Sequence, residues 1–133
     1  MRWISRALVL LGCSGEAAES RPTATPRAAA TASAALETAI TNVDALLIAA
    51  SQEKVATSYS DAYLAVIPPA KMVGLLSAVH QSAGTCKRQA TQVRSETAAS
   101  VVYKCEHGEA LVRIEVPSAS DFHMTRFEIR PAS

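Results

Sequence analysis

The sequence lacks any long hydrophobic run. Hydrophobic residues make up 49% of the 133 residues, yet no stretch approaches the roughly 18 continuous apolar residues that a membrane-spanning helix requires. The apolar run near the start, Ala7 to Leu11, covers only five residues. We therefore expect no transmembrane helix.

Aromatic residues are also scarce, and the chain has almost no surplus of basic charge. Aromatic residues make up 5% of the chain, and 13 Lys and Arg residues stand against 12 Asp and Glu residues. The basic residues are scattered along the sequence and do not interleave with aromatic side chains, as they do where bases stack on a basic surface. We expect no nucleic-acid partner.

The N-terminus has the residue pattern expected of an export signal. Arg2 and Arg6 precede the apolar run, and Gly12 supplies the small residue that signal peptidases require at the cleavage site. The segment Leu10-Leu11-Gly12-Cys13 resembles the lipobox of bacterial lipoproteins, in which the cysteine thiol takes a diacylglycerol and becomes the new N-terminus. An ordinary secretory signal and an apolar cytosolic N-terminus are the alternatives.

The resemblance to a lipobox implies a processed, membrane-bound protein. Residues 1–12 would be the signal peptide, and lipid on Cys13 would anchor the chain in the bacterial cell envelope, facing the periplasm or the cell exterior. Ser14 follows the cysteine. In the enteric lipoproteins that this segment resembles, a residue other than Asp at that position favours the outer over the inner membrane.

The three cysteines fit this location. With Cys13 lipidated, Cys86 and Cys105 remain as an even pair in an oxidising compartment, which favours a disulfide bond. The alternative is a metal site that recruits histidines, but no ligands stand at C-x-x-C or H-x-x-x-H spacing. The histidines concerned are His80, His107 and His123. We expect neither a metal nor a cofactor.

Composition divides the processed chain into a linker and a domain. Residues 14–33 contain no Leu, Ile, Val or aromatic side chain, so they cannot bury enough apolar surface to offset the entropy of ordering. We predict a lipidated N-terminus with a flexible linker over residues 13–34 and one domain over residues 35–133.

The first half of the domain has helical periodicity. Apolar residues recur at spacings of three and four over residues 35–48 and again over residues 52–66. A third helix is predicted after Pro68-Pro69, running to about Ser82 and capped by Gly84.

After Gly84 the periodicity changes to two, which predicts four strands. They cover about residues 86–94, 101–106, 110–116 and 122–130. A turn at His107-Gly108 would pair Glu106 with Glu109, and a turn near Ser95-Glu96 would bring Cys86 opposite Cys105. The expected architecture is α+β, with three helices packed on a four-stranded antiparallel meander.

This order of elements resembles the nuclear transport factor 2-like fold, which is also described as cystatin-like or steroid-isomerase-like. The segment from Tyr59 to Met72 (YSDAYLAVIPPAKM), followed by Gly84-Thr85-Cys86, is similar to the N-terminal accessory domain of some β-lactamase-like serine hydrolases. The resemblance spans about residues 44–131. It implies a cone-shaped domain with an accessory or ligand-holding role, and it transfers no catalytic residue.

Four side chains are predicted to line a pocket between the helices and the sheet. Tyr59, Tyr63 and Tyr103 would supply apolar walls with polar hydroxyls, and Arg88 stands opposite Tyr103 in the expected register. The alternative is that the tyrosines belong to the core with hydroxyls at its edge, and that Arg88 extends into solvent.

The sequence favours a binding module over an enzyme. Ser51 and Lys54 match S-x-x-K, but no S-D-N or K-T-G motif follows, and a serine at this position is typical of a helix cap. We predict a lipid-anchored envelope module without catalytic activity that binds a protein partner or a small ligand. A cone-fold enzyme and a structural spacer are the alternatives.

Overall fold

A computed structural model describes residues 30–131, which form four helices followed by four strands. The helices are α1 (Ala34–Ile48), α2 (Gln52–Ser58), α3 (Asp61–Val66) and α4 (Pro69–Ala83). The strands are β1 (Cys86–Ser95), β2 (Ala98–Cys105), β3 (Gly108–Glu115) and β4 (Arg126–Pro131). Helices that precede an antiparallel meander confirm the predicted α+β class. The predicted signal peptide, Cys13 and residues 14–29 of the linker lie outside the described residues.

The strands pair in chain order, β1-β2-β3-β4, and every pair is antiparallel. Cys86 stands opposite Cys105 and Arg88 opposite Tyr103, as predicted. A disulfide bond with an S–S distance of 2.01 Å joins Cys86 to Cys105. The first residue of β1 is thereby fixed to the last residue of β2.

The register predicted for the second hairpin is wrong by two residues. The turn lies at Glu106-His107 rather than at His107-Gly108, so Cys105 faces Gly108 and Lys104 faces Glu109. The predicted register would have set two like charges, Glu106 and Glu109, directly across from each other, which destabilises a strand pair. The observed register replaces that repulsion with an opposite-charge pair.

A second difference is a break in the predicted helix over residues 52–66. Tyr59 is extended, with φ −114° and ψ 155°, and separates α2 from α3. The Ser60 amide donates to the Met124 carbonyl at 2.9 Å, and the Met124 amide donates to the Ser58 carbonyl at 2.9 Å. Ser60 also caps α3 by accepting from the Tyr63 amide. The chain after Ser58 therefore pairs with the segment before β4 and cannot continue the helix. As a result Val66, at the end of the predicted helix, is 78% exposed.

The segment before β4 is irregular because it supplies this pairing. The predicted fourth strand started near Phe122, but β4 begins at Arg126. Met124 is fully buried and pairs with Tyr59 as an isolated bridge. Its backbone is thus engaged with the helices, and the strand starts only after it.

One face of the sheet and the inner faces of the helices form a single core. Alternate strand residues are buried on this inner face, including Val101, Val112 and Ile114, while Lys104 and Arg113 on the opposite face are exposed. The helices contribute Leu36, Ile40, Val43, Met72 and Leu76, all at most 2% exposed. The core fills the space between the helices and the middle of the sheet.

Both ends of the helical layer are attached to turns of the sheet. Ser33, which falls in the predicted linker, caps α1 and donates through its hydroxyl to the Glu96 carbonyl at 2.8 Å. At the other end Gly84 closes α4 with φ 84°, a backbone region that favours glycine. The amide of His107 then donates to the Ala83 carbonyl at 2.9 Å. The C-terminus of α4 is therefore held against the β2–β3 turn.

Candidate functional site

The four residues predicted to line one pocket lie in two separate clusters. Tyr59 and Tyr63 pack beside β4, whereas Arg88 and Tyr103 meet α1 on the β1–β2 side of the domain. The prediction of a single pocket containing all four residues is not matched by the structure. The two clusters differ in their polar contacts.

The first cluster is aromatic. The rings of Tyr59 and Tyr63 stack with centroids 5.1 Å apart, and Phe127 meets Tyr59 edge-on at 5.6 Å. The Tyr63 hydroxyl donates to the Phe127 carbonyl at 3.1 Å. Tyr59 is 1% exposed, and its hydroxyl has no hydrogen-bond partner within residues 30–131. Burial, followed by the neighbouring Tyr63, raises the pKa of Tyr59 well above its usual value.

The second cluster is centred on a carboxylate that the sequence analysis missed. The Tyr103 hydroxyl donates to Asp44 Oδ1 at 2.5 Å, and Arg88 Nη2 lies 2.9 Å from Asp44 Oδ2. Burial raises the pKa of Tyr103, and the hydrogen bond to Asp44 adds to this effect. Both carboxylate oxygens are engaged, so the cluster ties α1 to β1 and β2.

A local signal for Asp44 was present in the sequence. Asp44 follows Ile40 by four residues and precedes Leu47 by three, so it stands beside the apolar stripe of α1. A lone carboxylate in that position requires a partner when the stripe is buried. The partner residues come from strands more than forty positions away in the sequence, which periodicity alone cannot identify.

One cavity lies between α4 and the end of the sheet. It has a volume of about 540 Å³, and Leu75 and Val79 of α4, Ala110 of β3 and Ile129 of β4 supply apolar walls. We call this opening the α4 groove. Its remaining wall includes four polar side chains, Ser82, His107, Glu109 and Arg130.

Helix packing explains why the groove is open. Met72 and Leu76 bury one side of α4 in the core, where the helix packs against α1 and α2. Leu75 lies on another side of α4 and remains 42% exposed. A helix held at its C-terminus by the β2–β3 turn and packed mainly on other helices leaves a gap in front of β4.

A smaller cavity lies next to the α4 groove. It measures about 150 Å³, shares Leu75 and Ile129 with the groove, and is also lined by Tyr63, Met72 and Phe127. One residue of the predicted pocket, Tyr63, therefore borders an opening, and Tyr59 lies behind it. Arg88 lines a different, more open and more polar cavity of about 560 Å³ near Cys105 and Glu106.

Ser51 and Lys54 have structural roles. The Ser51 hydroxyl accepts from the Lys54 amide and caps α2, which confirms the interpretation as a helix cap. The Lys54 ammonium donates to the Ala49 carbonyl at 2.9 Å. Two groups that would have to activate each other in an S-x-x-K hydrolase are thus used to start a helix.

Within residues 30–131, no helix is long and apolar enough to cross a membrane. No group of three or more His, Cys, Asp or Glu residues within this range is arranged to hold a metal ion. The ring of His123 instead contacts Asp121 at 2.7 Å within the loop before β4.

Comparisons with known proteins identify no relative: the chain matches no protein-family model, no curated protein and no solved structure.

Proposed function

We propose that this protein is a lipid-anchored module of the bacterial cell envelope that binds a small amphipathic molecule in the α4 groove, without catalysing a reaction. The open apolar groove carries the proposal. Its volume of about 540 Å³ falls in the range of roughly 300 to 1,000 Å³ that is typical of small-molecule sites.

The lining of the α4 groove indicates the chemistry of the ligand. Leu75, Val79 and Ile129 offer an apolar surface to a hydrocarbon or aromatic body. Arg130 and His107 also line the groove and can bind a polar or anionic group of the same molecule. An apolar segment of a partner protein is the competing occupant.

The arrangement of elements supports a cone-shaped, cystatin-like assignment as part of the proposal. The helices precede the sheet and cover one of its faces, as the resemblance to the nuclear transport factor 2-like fold implies. β1 carries two register shifts, between Arg88 and Ala90 and between Val93 and Ser95. Bulges of this kind bend a strand and increase its twist, which helps a sheet to curve around a helix.

The enzyme alternative lacks a supporting observation. A steroid-isomerase-like mechanism requires a carboxylate base that faces the substrate. Asp44 is engaged by Tyr103 and Arg88 through both oxygens, and it does not line the α4 groove. The groove therefore supports binding better than catalysis.

The lipid anchor is tested by replacing Cys13 with serine. We expect radioactive palmitate to label the parent protein but not the Cys13→Ser variant, because serine cannot form the thioether to diacylglycerol. The parent should fractionate with the outer membrane, and the variant should leave that fraction. Palmitate label on the variant, or none on the parent, contradicts the anchor.

Binding in the α4 groove is tested with an anilinonaphthalene sulfonate dye, an apolar aromatic molecule with one anionic group. We expect saturable binding to the native protein, and a dissociation constant at least about tenfold weaker for Leu75→Glu, because the variant places a charge on the apolar wall. Thermal denaturation should show that Leu75→Glu keeps its fold, since Leu75 is 42% exposed.

The matched control is Val66→Glu. Val66 is an exposed aliphatic residue on α3, 78% exposed, and it does not line the groove. Binding that is unchanged in Val66→Glu and weakened in Leu75→Glu supports the groove. Equal affinities in both variants would overturn it, and so would an absence of saturable binding to the parent.

A further inference from the structure

The face of the sheet that points away from the helices, here called the outer face, carries a cluster of arginines. Three of them, Arg94, Arg113 and Arg126, line a shallow cavity of about 120 Å³. Ser100 lies in the same wall, together with a single carboxylate, that of Glu115. The cavity is separate from the α4 groove, and its lining has a surplus of positive charge.

Ser100 is the buried polar group of this cavity. It is 5% exposed, and its Oγ accepts a hydrogen bond from Arg94 Nε at 2.9 Å. No acceptor for the proton of its own hydroxyl lies within residues 30–131. A hydroxyl that accepts from an arginine and still has a proton to donate is suited to contact an anion.

The arginines differ in their ionic partners. Arg126 Nε lies 3.3 Å from Glu115 Oε2, and Arg126 Nη1 lies 3.7 Å from Glu128 Oε2. Within residues 30–131, neither Arg94 nor Arg113 forms an ion pair. Within residues 30–131, two guanidinium groups thus border the cavity without an ion-pair partner, although Glu128 stands directly across from Arg113 on β4 and lies within ion-pair distance of Arg126.

Protection of a sheet edge does not account for this cluster. Lysine and arginine often occupy edge strands, where they discourage pairing with another chain. Arg113, however, lies on β3, which has neighbours on both sides, directly across from Ser100. Arg94 is on the edge strand β1, but its Nε is bonded to Ser100 on β2. Both guanidinium groups therefore border the cavity on the outer face.

We propose that Arg94, Arg113 and Ser100 form a binding site for a compact tetrahedral oxyanion, such as a phosphate group. The guanidinium fork donates two parallel hydrogen bonds to such a group, and the serine hydroxyl supplies a further donor. The phosphate belongs either to a soluble molecule or to a lipid headgroup. The shared chemistry is the oxyanion itself.

The test uses the full chain and inorganic phosphate. At constant ionic strength, phosphate should raise the melting temperature relative to chloride, because a ligand that binds only the native state stabilises it. Arg113→Gln should weaken phosphate binding by about tenfold, since it removes a charge-assisted hydrogen bond. Ser100→Ala should weaken it to a smaller degree.

Lys104→Gln is the matched control. Lys104 is an exposed cation on the outer face of β2 that does not line the cavity. Lys104→Gln removes the same charge as Arg113→Gln, so a diffuse electrostatic attraction for phosphate would fall equally in both variants. The proposal is overturned if Lys104→Gln weakens binding as much as Arg113→Gln, or if phosphate stabilises the protein no more than chloride does.

Vesicles distinguish the two sources of phosphate. Phosphatidylglycerol vesicles that bind the parent but not Arg113→Gln indicate a lipid headgroup. Binding of inorganic phosphate without binding of these vesicles indicates a soluble ligand. Arg113 is exposed, so the variant is expected to fold, and Arg113→Lys, which keeps the charge but loses the fork, should bind with intermediate affinity.

Discussion

Replacing Cys86 and Cys105 together by alanine should lower the free energy of unfolding by about 3 kcal/mol. The bond joins residues 19 positions apart, and the closure of a loop of this length restricts the unfolded chain by about that amount. For a domain of this size the loss corresponds to a fall in melting temperature of roughly 12 to 24 °C. Urea denaturation gives the free energy directly.

The effect should be concentrated in β1. Nearly every residue of this edge strand is exposed, and its partner is β2 alone. The disulfide fixes its first residue, Cys86, next to the C-terminus of α4. Without the bond, the amides of residues 87–90 should exchange with solvent faster than those of β3, which hydrogen exchange resolves residue by residue.

The parent protein under reducing conditions provides the control. Both measurements belong in the Cys13→Ser background, because a third thiol could exchange with the pair. Reduction should reproduce the loss seen in the double alanine variant and leave that variant itself unchanged. An equal urea midpoint with and without reductant would contradict a structural role for this bond.

Strand periodicity predicted the sheet well, because alternation determines which face each side chain occupies. The pairing of Cys86 with Cys105 was predicted from a turn at Ser95-Glu96. The structure has that pairing with the turn at Glu96-Thr97, because two register shifts in β1 compensate for the difference. Alternation does not fix a register to better than two residues, however, since a shift of two keeps every side chain on its face. The charges of Lys104, Glu106 and Glu109 contained the missing information.

The break at Tyr59 was beyond local reasoning. Residues 52–66 have a helical pattern throughout, and the extended backbone at Tyr59 is stabilised by Met124, which is 65 positions away in the sequence. The same limit applies to the candidate site. The α4 groove exists because α4 packs on other helices and stands away from β4, which the sequence of α4 alone does not specify.

Replacing the three tyrosines one at a time by phenylalanine should lower the free energy of unfolding at two positions and raise it at the third. Tyr103→Phe should cost about 2 kcal/mol, because it removes a hydrogen bond to the charged Asp44. Tyr63→Phe should cost about 1 kcal/mol, the value of a hydrogen bond to a neutral carbonyl. Tyr59→Phe should instead raise the free energy of unfolding by about 1 kcal/mol, because the buried Tyr59 hydroxyl has no hydrogen-bond partner among residues 30–131.

The three variants control one another. Each removes one oxygen atom and keeps the ring, so loss of apolar packing is the same small quantity in all of them. Urea denaturation of the three proteins under identical conditions gives the comparison. A loss of stability in Tyr59→Phe that equals the loss in Tyr103→Phe would show that the Tyr59 hydroxyl has a partner after all.

Alkaline pH tests the same contacts independently. Burial raises the pKa of Tyr59 and of Tyr103 above the ordinary value of 10.0, so the folded protein keeps both phenols neutral while the unfolded chain ionises them. Their contribution to stability is therefore complete below pH 10 and declines above it, by about 1.4 kcal/mol per pH unit for each tyrosine. Ultraviolet absorbance should show these two side chains ionising only as the far-ultraviolet circular dichroism signal is lost. Tyr103→Phe should reduce the slope of the free energy of unfolding against pH by the contribution of one tyrosine. Ionisation of all three tyrosines near pH 10 in a folded protein would contradict the burial of their hydroxyls.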